Sequence, residues 1–169
     1  RYAVAAVVEV ARGIPALVLL YLVYFGLPQM QLGMDAFLSA AAALGVSFGA
    51  YSSAAIRSGL DAVPTGQREA ARALGLHGSD EFSRVVLPQA LRVIAPPLLG
   101  WAIIYFQATS LAFAIAVPEL LSRAYTLAVQ NFQYFTLLGM AALIYAAVSI
   151  PASLFSDYLA NRRTARRQT

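Results

Sequence analysis

Apolar residues run through this chain in four long blocks that no charged side chain interrupts, at 13 to 34, 36 to 56, 93 to 118 and 124 to 156. About 20 helical residues cross a hydrocarbon core, so each block is long enough to span once. The last block exceeds one span, which leaves part of it interfacial or external. The pattern predicts a first helix from near Tyr2 that carries Glu9 and Arg12 at i,i+3 and runs through Ile14 to Leu27. Pro28 and Gly33 mark a turn, Asp35 caps a second helix, and that helix returns through Phe37 to Ile56. Pro96-Pro97 opens a third span, continuing through Trp101 to Val117. A fourth, after polar Gln130, Asn131 and Gln133, runs from about Leu137 to Phe155 and ends at Asp157.

Between the second and third blocks lies a charged, helix-patterned loop, residues 57 to 92. Thr65 is placed to cap a short helix through Gln67 to Leu74 that stops at Gly75, a residue free to take the left-handed conformation. Ala70, Ala71, Ala73 and Leu74 give this helix a smooth apolar side; Arg68, Glu69 and Arg72 give it a charged one. Ser79 is placed to cap a second short helix, with Asp80 and Arg84 at i,i+4, ended by Pro88. Helices this short are not stable alone, and one with a narrow apolar face needs a groove in a partner.

Composition places all of this in a bilayer. Of 169 residues 60% are hydrophobic and 12% charged, and the mean hydropathy is +0.67, too apolar for a soluble domain. With no cysteine, neither a disulfide framework nor a thiolate metal site is available. The +4 net charge comes from arginines that alternate with the spans. Arg1, Arg12, Arg57, Arg68, Arg72, Arg84, Arg92, Arg162, Arg163, Arg166 and Arg167 share one side, and only Arg123 falls opposite. The positive-inside rule makes the first side cytoplasmic, with the turns at Asp35 and at Glu119 to Arg123 facing out. The basic tail is then a topology anchor beside anionic lipid rather than a nucleic-acid patch. The Glu9 and Arg12 pair reads as a solvated helix segment near the membrane boundary. Gly45, Gly49, Ser47, Ser52 and Ser53 suit close helix packing. Gln107, Thr109 and Ser110 lie mid-span, where polar groups want an internal partner or a water-filled path. The two hydroxyls can bond their own backbone; Gln107 is harder to dismiss as structural.

Glu69-Ala70-Ala71, three residues, Gly75, nine residues, then Val85-x-Leu87-Pro88 resembles the EAA loop of ABC importer permeases. The likeness extends to Glu9-x-x-Arg12-Gly13-x-Pro15, Tyr24-Phe25-Gly26-Leu27-Pro28, Gly49-Ala50-Tyr51, Arg57-x-Gly59, Pro64-x-Gly66-Gln67 and Leu87-Pro88-Gln89-Ala90. In this order the pieces resemble a permease of the bacterial polar amino acid ABC importers, the histidine, glutamine and arginine type. That resemblance implies an all-α integral membrane protein with the type I ABC importer permease fold. Four transmembrane helices fall in this chain, read as one domain over 1 to 169, and the family's first helix is expected ahead of Arg1. It implies two permease subunits side by side, alike or different, an ABC ATPase dimer below and an external solute-binding protein above. ATP and magnesium would be bound by the ATPases and no cofactor by this chain, whose carboxyl terminus would be cytoplasmic. Gly66, Gln67, Glu69, Ala70, Ala71, Gly75, Leu87 and Pro88 would be the ATPase-coupling residues; Tyr51, Gln107, Thr109 and Ser110 would line the substrate path.

Two departures bear on cargo. The family usually has lysine and aspartate where Gln107 and Ala108 precede Thr109-Ser110-Leu111, and a glutamate where this chain has Ala54. An ionic ligand group needs a partner where water is scarce, so either the cargo is not the usual charged amino acid or the site belongs to a sister subunit. A permease for another small solute, or a self-contained channel or scaffold, shares the topology. The channel would have no use for a docking helix. An intramembrane enzyme has no H-E-x-x-H and no paired acids within the spans to support it.

Overall fold

Asp35 does cap the second span: its Oδ1 accepts from Leu38 N at 2.9 Å and starts α3, Ala36–Asp61. This chain is described as a computed structural model in which the backbone of residues 2–165 and the side chains of residues 4–160 are placed. Arg1, Arg162, Arg163, Arg166 and Arg167, expected on the cytoplasmic side, lie outside the described side chains. Before α3 come α1, Tyr2–Gly13, and α2, Ala16–Tyr21, which continues as a π turn and a 3-10 turn to Met30. After it come α4, Thr65–Ala73, and α5, Ser79–Glu81, which a π turn at Phe82–Val86 joins to α6, Leu87–Ala108. A 3-10 turn at Thr109–Ile115, α7, Leu120–Asn131, and α8, Tyr134–Ala165, complete the order.

Ala36–Asp61, Ser79–Ile115 and Tyr134–Ala160 are long and apolar enough to cross a membrane. The expected first span is not one helix. It divides at Pro15 into segments bent by 108°. Proline has no N–H to donate and disfavours helix in the residue before it, so the chain stops after Gly13 and restarts with Pro15 at φ −56°, ψ 137°. The following segment, Ala16–Met30, is about 22 Å long at 1.5 Å per residue, short of the ~30 Å hydrocarbon core.

The third span also starts elsewhere than expected. Neither Pro88 nor Pro96-Pro97 marks a boundary, because the helix runs continuously from Ser79 to Ile115. Ahead of Pro88 the ladder widens to a π turn, in which Leu87 N donates to Phe82 O. The Gln89 side chain donates to Val85 O at 3.0 Å. Pro96 and Pro97 sit inside α6, and Ser156 Oγ of α8 donates to Pro96 O at 3.1 Å. A side chain and a neighbouring helix thus add hydrogen bonds to backbone carbonyls close to the prolines, Val85 O and Pro96 O.

α3 and α6 are the central pair. α1 and α2 pack on α3, while α8 packs on α6 and forms a hairpin with α7. The sequence pattern did not define α7; Glu119 caps it, accepting from Leu121 N at 2.7 Å and from Ser122 N. The small residues of α3 act unequally. Ser39, Ala40, Ala43, Ser47 and Ala50 are buried, and of these Ala40 and Ala43 join Leu20, Ala112, Ile115 and Val117 in a cluster that fills one end of the bundle. Gly45 and Gly49, expected to mediate close packing, face open space. Gly59 does mediate it: a β-carbon there would run into Ile94 Cγ1 of α6. A second cluster, Val63, Val86, Ala90 and Ile94, closes the other end beneath the charged loop.

Candidate coupling site

The loop between α3 and α6 is an ordered arch. Pro64 precedes α4 and Thr65 is its first residue, so Thr65 does not cap it; no side-chain cap is made. Ser79 likewise starts α5 without capping it, and Gly78 at φ +57° takes the preceding position. The other end of α4 is as expected. Gly75 has φ +81°, Leu76 N donates to Ala71 O at 3.0 Å, and Gly75 N donates to Arg72 O at 2.9 Å. This pair of bonds is the Schellman closure, which a β-branched residue at the left-handed position would strain.

Turned inward, Ala71 is 3% exposed and Arg68 reaches back to Leu60 O at 3.4 Å. Turned outward are Gly66, Gln67, Glu69, Ala70, Ala73 and Leu74, the leucine at 82% exposure. The expected apolar side is therefore split: Ala71 seats the helix, and Ala70, Ala73 and Leu74 present an apolar knob to the outside. One strut holds the helix in this attitude. Arg72 Nε donates to Glu81 Oε2 at 2.8 Å and its Nη2 donates to Glu81 Oε1 at 3.3 Å, a two-pronged grip across the turn. Glu81 is buried at 8% exposure; its hydrogen bond and charge raise the Arg72 pKa above the ordinary guanidinium value. Sequence reading missed this pair. Arg72 and Glu81 are nine residues apart on two different helices, and only the bonus of two glycines between them hints at a sharp return. Asp80 and Arg84 pair at 3.1 Å as their spacing predicted.

Of the other residues expected to couple, Leu87 is half-buried and Pro88 exposed, and both belong to the start of α6 rather than to the outer face of α4. Gln89 Nε2 approaches Gln67 Oε1 at 3.4 Å and ties the two helices loosely.

The four residues expected on the substrate path sit in different surroundings. Tyr51 stacks on Trp101 at 4.3 Å between centroids, and its hydroxyl donates to Arg12 O at 2.9 Å. Trp101 and Tyr105 face α3 from α6; Gln107 points away by ~200° of helix rotation from Tyr105 and is exposed. Thr109 Oγ1 donates to Phe106 O at 2.6 Å and Ser110 Oγ to Gln107 O at 2.8 Å, so both hydroxyls satisfy their own helix. A string overlooked in the sequence, Gly45-Val46-Ser47-Phe48-Gly49, matches the G-x-S-x-G pattern of nucleophile elbows. It lies within α3 rather than on a strand-to-helix turn, and Ser47 is buried against the Tyr105 hydroxyl.

Against known proteins, the family described as binding-protein-dependent transport system inner membrane component matches residues 1–165. The Bacillus subtilis (strain 168) protein named "Probable amino-acid ABC transporter permease protein YckA" is 35% identical over 159 residues, 94% of this chain and 70% of that protein. "Probable glutamine ABC transporter permease protein GlnP" of the same organism is 37% identical over 164 residues, 95% of this chain and 75% of its own length. A solved chain titled "Crystal structure of an amino acid ABC transporter with histidines" superposes with a TM-score of 0.84 at 31% identity, over 95% of this chain and 75% of that one.

Proposed function

The chain belongs to the family of binding-protein-dependent transport system inner membrane components, and from that premise we propose that it is the permease subunit of an ATP-driven ABC uptake system for amino acids. It is a multi-pass membrane protein with the type I ABC importer permease fold. Amino acid cargo is supported by the relatives and the solved neighbour, whose names all specify amino acid transport.

The observation that carries the mechanism is the outward face of α4. Ala70, Ala73 and exposed Leu74 form a small apolar knob beside Glu69. Glu69 makes no ion pair among the described residues, since Arg72 is engaged by Glu81. A knob with a charge at its edge fits a groove on a partner surface. In this reading the partner is one subunit of an ABC ATPase dimer, which alone binds ATP and magnesium. A second permease subunit and an external solute-binding protein complete the machine. The 57 to 92 loop and the carboxyl terminus are cytoplasmic. Closure of the ATPases moves α4 as a body, and the strut to Glu81 passes that motion to α5 and α6, switching the spans between outward and inward access.

Two substitutions test this. Gly75→Val strains the left-handed position, and Glu69→Arg reverses the charge beside the knob. Both variants are expected at normal abundance in the membrane, with transport and ligand-stimulated ATP hydrolysis lost together. Normal transport by both sinks the docking reading.

A further inference from the structure

We propose that the cavity between α1 and the end of α3 seats the phosphate group of an anionic phospholipid from the cytoplasmic leaflet. The leaflet rests on the orientation proposed above; the site itself rests on geometry. The cavity has a volume of about 470 Å³, within the ~300–1,000 Å³ usual for ligand pockets. Arg12 and Arg57 line it from the two helices, with Glu9 on the helix of Arg12 and Ala54, three residues before Arg57 on α3, in the wall.

The cations outnumber the acid. Glu9 takes one guanidinium nitrogen, Arg12 Nη1, at 3.2 Å. Arg57 has no ion pair with the described residues. Arg12 Nε is buried without a hydrogen-bond partner, although its side chain is fixed by the ring of Tyr51, 5.6 Å from the guanidinium carbon. Two guanidiniums against one carboxylate leave the cavity wall with a net positive charge, which is a demand for an anionic acceptor.

A lipid answers that demand better than a soluble anion, because the way in is apolar. Val4 and Val8 line the cavity, and Val4, Val7 and Val10 run along α1 at 68%, 64% and 61% exposure. The 108° bend at Pro15 turns α1 nearly across the direction of α2. If α2 stands in the membrane, α1 lies along its surface, the attitude of an interfacial helix with valines in the acyl region and arginines at headgroup depth.

The test is lipid retention by the assembled transporter, purified from nanodiscs and read by native mass spectrometry. Phosphatidylglycerol is expected to be retained and phosphatidylcholine not. Arg57 is exposed, so its variants report on the site rather than on folding: Arg57→Gln should lower retention by about fivefold, the scale of one arginine at an anionic surface, and Arg57→Lys should preserve it. Ala54→Glu should abolish retention by supplying a carboxylate to the two arginines from within. Equal retention of phosphatidylcholine, or parental retention in both Arg57→Gln and Ala54→Glu, overturns the proposal. Displacement of the lipid by inorganic phosphate that binds in its stead assigns the site to a soluble anion and overturns the lipid. Binding is read here without transport, so failure of the docking reading and failure of this one are separate results.

Discussion

Arg72 of α4 grips Glu81 of α5 through two nitrogens, at 2.8 and 3.3 Å, and so fixes the angle at which α4 leaves the bundle. Were this a mere surface pair, its removal would pass unnoticed. As a strut it has a directional consequence. Arg72→Ala and Glu81→Gln should each leave membrane abundance near normal, raise hydrogen exchange across residues 65 to 73 and lower transport per ATP hydrolysed. The exchanged pair Arg72→Glu with Glu81→Arg should recover part of the coupling. Unchanged exchange in both single variants would falsify the strut.

Gly59 lies where α3 and α6 touch, against Ile94. Gly59→Val should therefore destabilise the fold by ~1–3 kcal/mol, the usual cost of overpacking. Adding Ile94→Ala opens room and should return part of the loss, a non-additivity that a thermal-unfolding cycle of the four proteins measures.

With no native cysteine, topology is open to direct labelling. Asp80→Cys and Ala165→Cys should react with an impermeant thiol reagent only after the membrane is breached. Arg123→Cys should react in intact cells. The reverse pattern inverts the molecule and with it the cytoplasmic placement of α4.

Position 107 is a glutamine and position 108 an alanine, so this subunit supplies no charge there to a ligand side chain. Uptake with this permease as the sole membrane subunit should favour amino acids with neutral side chains. Strict selectivity for arginine or lysine would contradict that.

What was legible in the sequence is what local chemistry decides. Asp35 caps because a short acceptor preceding an apolar run has a helix N-terminus to serve, and Gly75 ends α4 because the chain must turn left-handed there. Uninterrupted apolar blocks located the spans at 36 to 56 and 93 to 118, although α3 runs on to Asp61. Prolines misled in both directions. Pro15 breaks its helix where Pro88, Pro96 and Pro97 do not: a π turn precedes Pro88, and α6 runs on through Pro96, whose carbonyl also accepts from Ser156 of another helix. Periodicity carries no record of such help. The Arg72 and Glu81 contact was invisible for the same reason, being made by the path of the chain between two helices. Composition suggested Gln107, Thr109 and Ser110 together as polar members of one span, but neighbours in sequence on a helix point in different directions.

The unbroken helix from Ser79 to Ile115 is a beam with its load at one end. Its 37 residues measure about 55 Å at 1.5 Å each, against ~30 Å of hydrocarbon, so on the order of 25 Å overhangs the membrane. On an overhang of that length a tilt of roughly ten degrees sweeps the tip sideways by about 4 Å, nearly a helical turn's pitch. Because α4 is clamped at that tip, a push of atomic size there is geared down into a small rotation inside the bilayer, and the same gearing magnifies any rocking of the spans into travel large enough to open or close a protein groove.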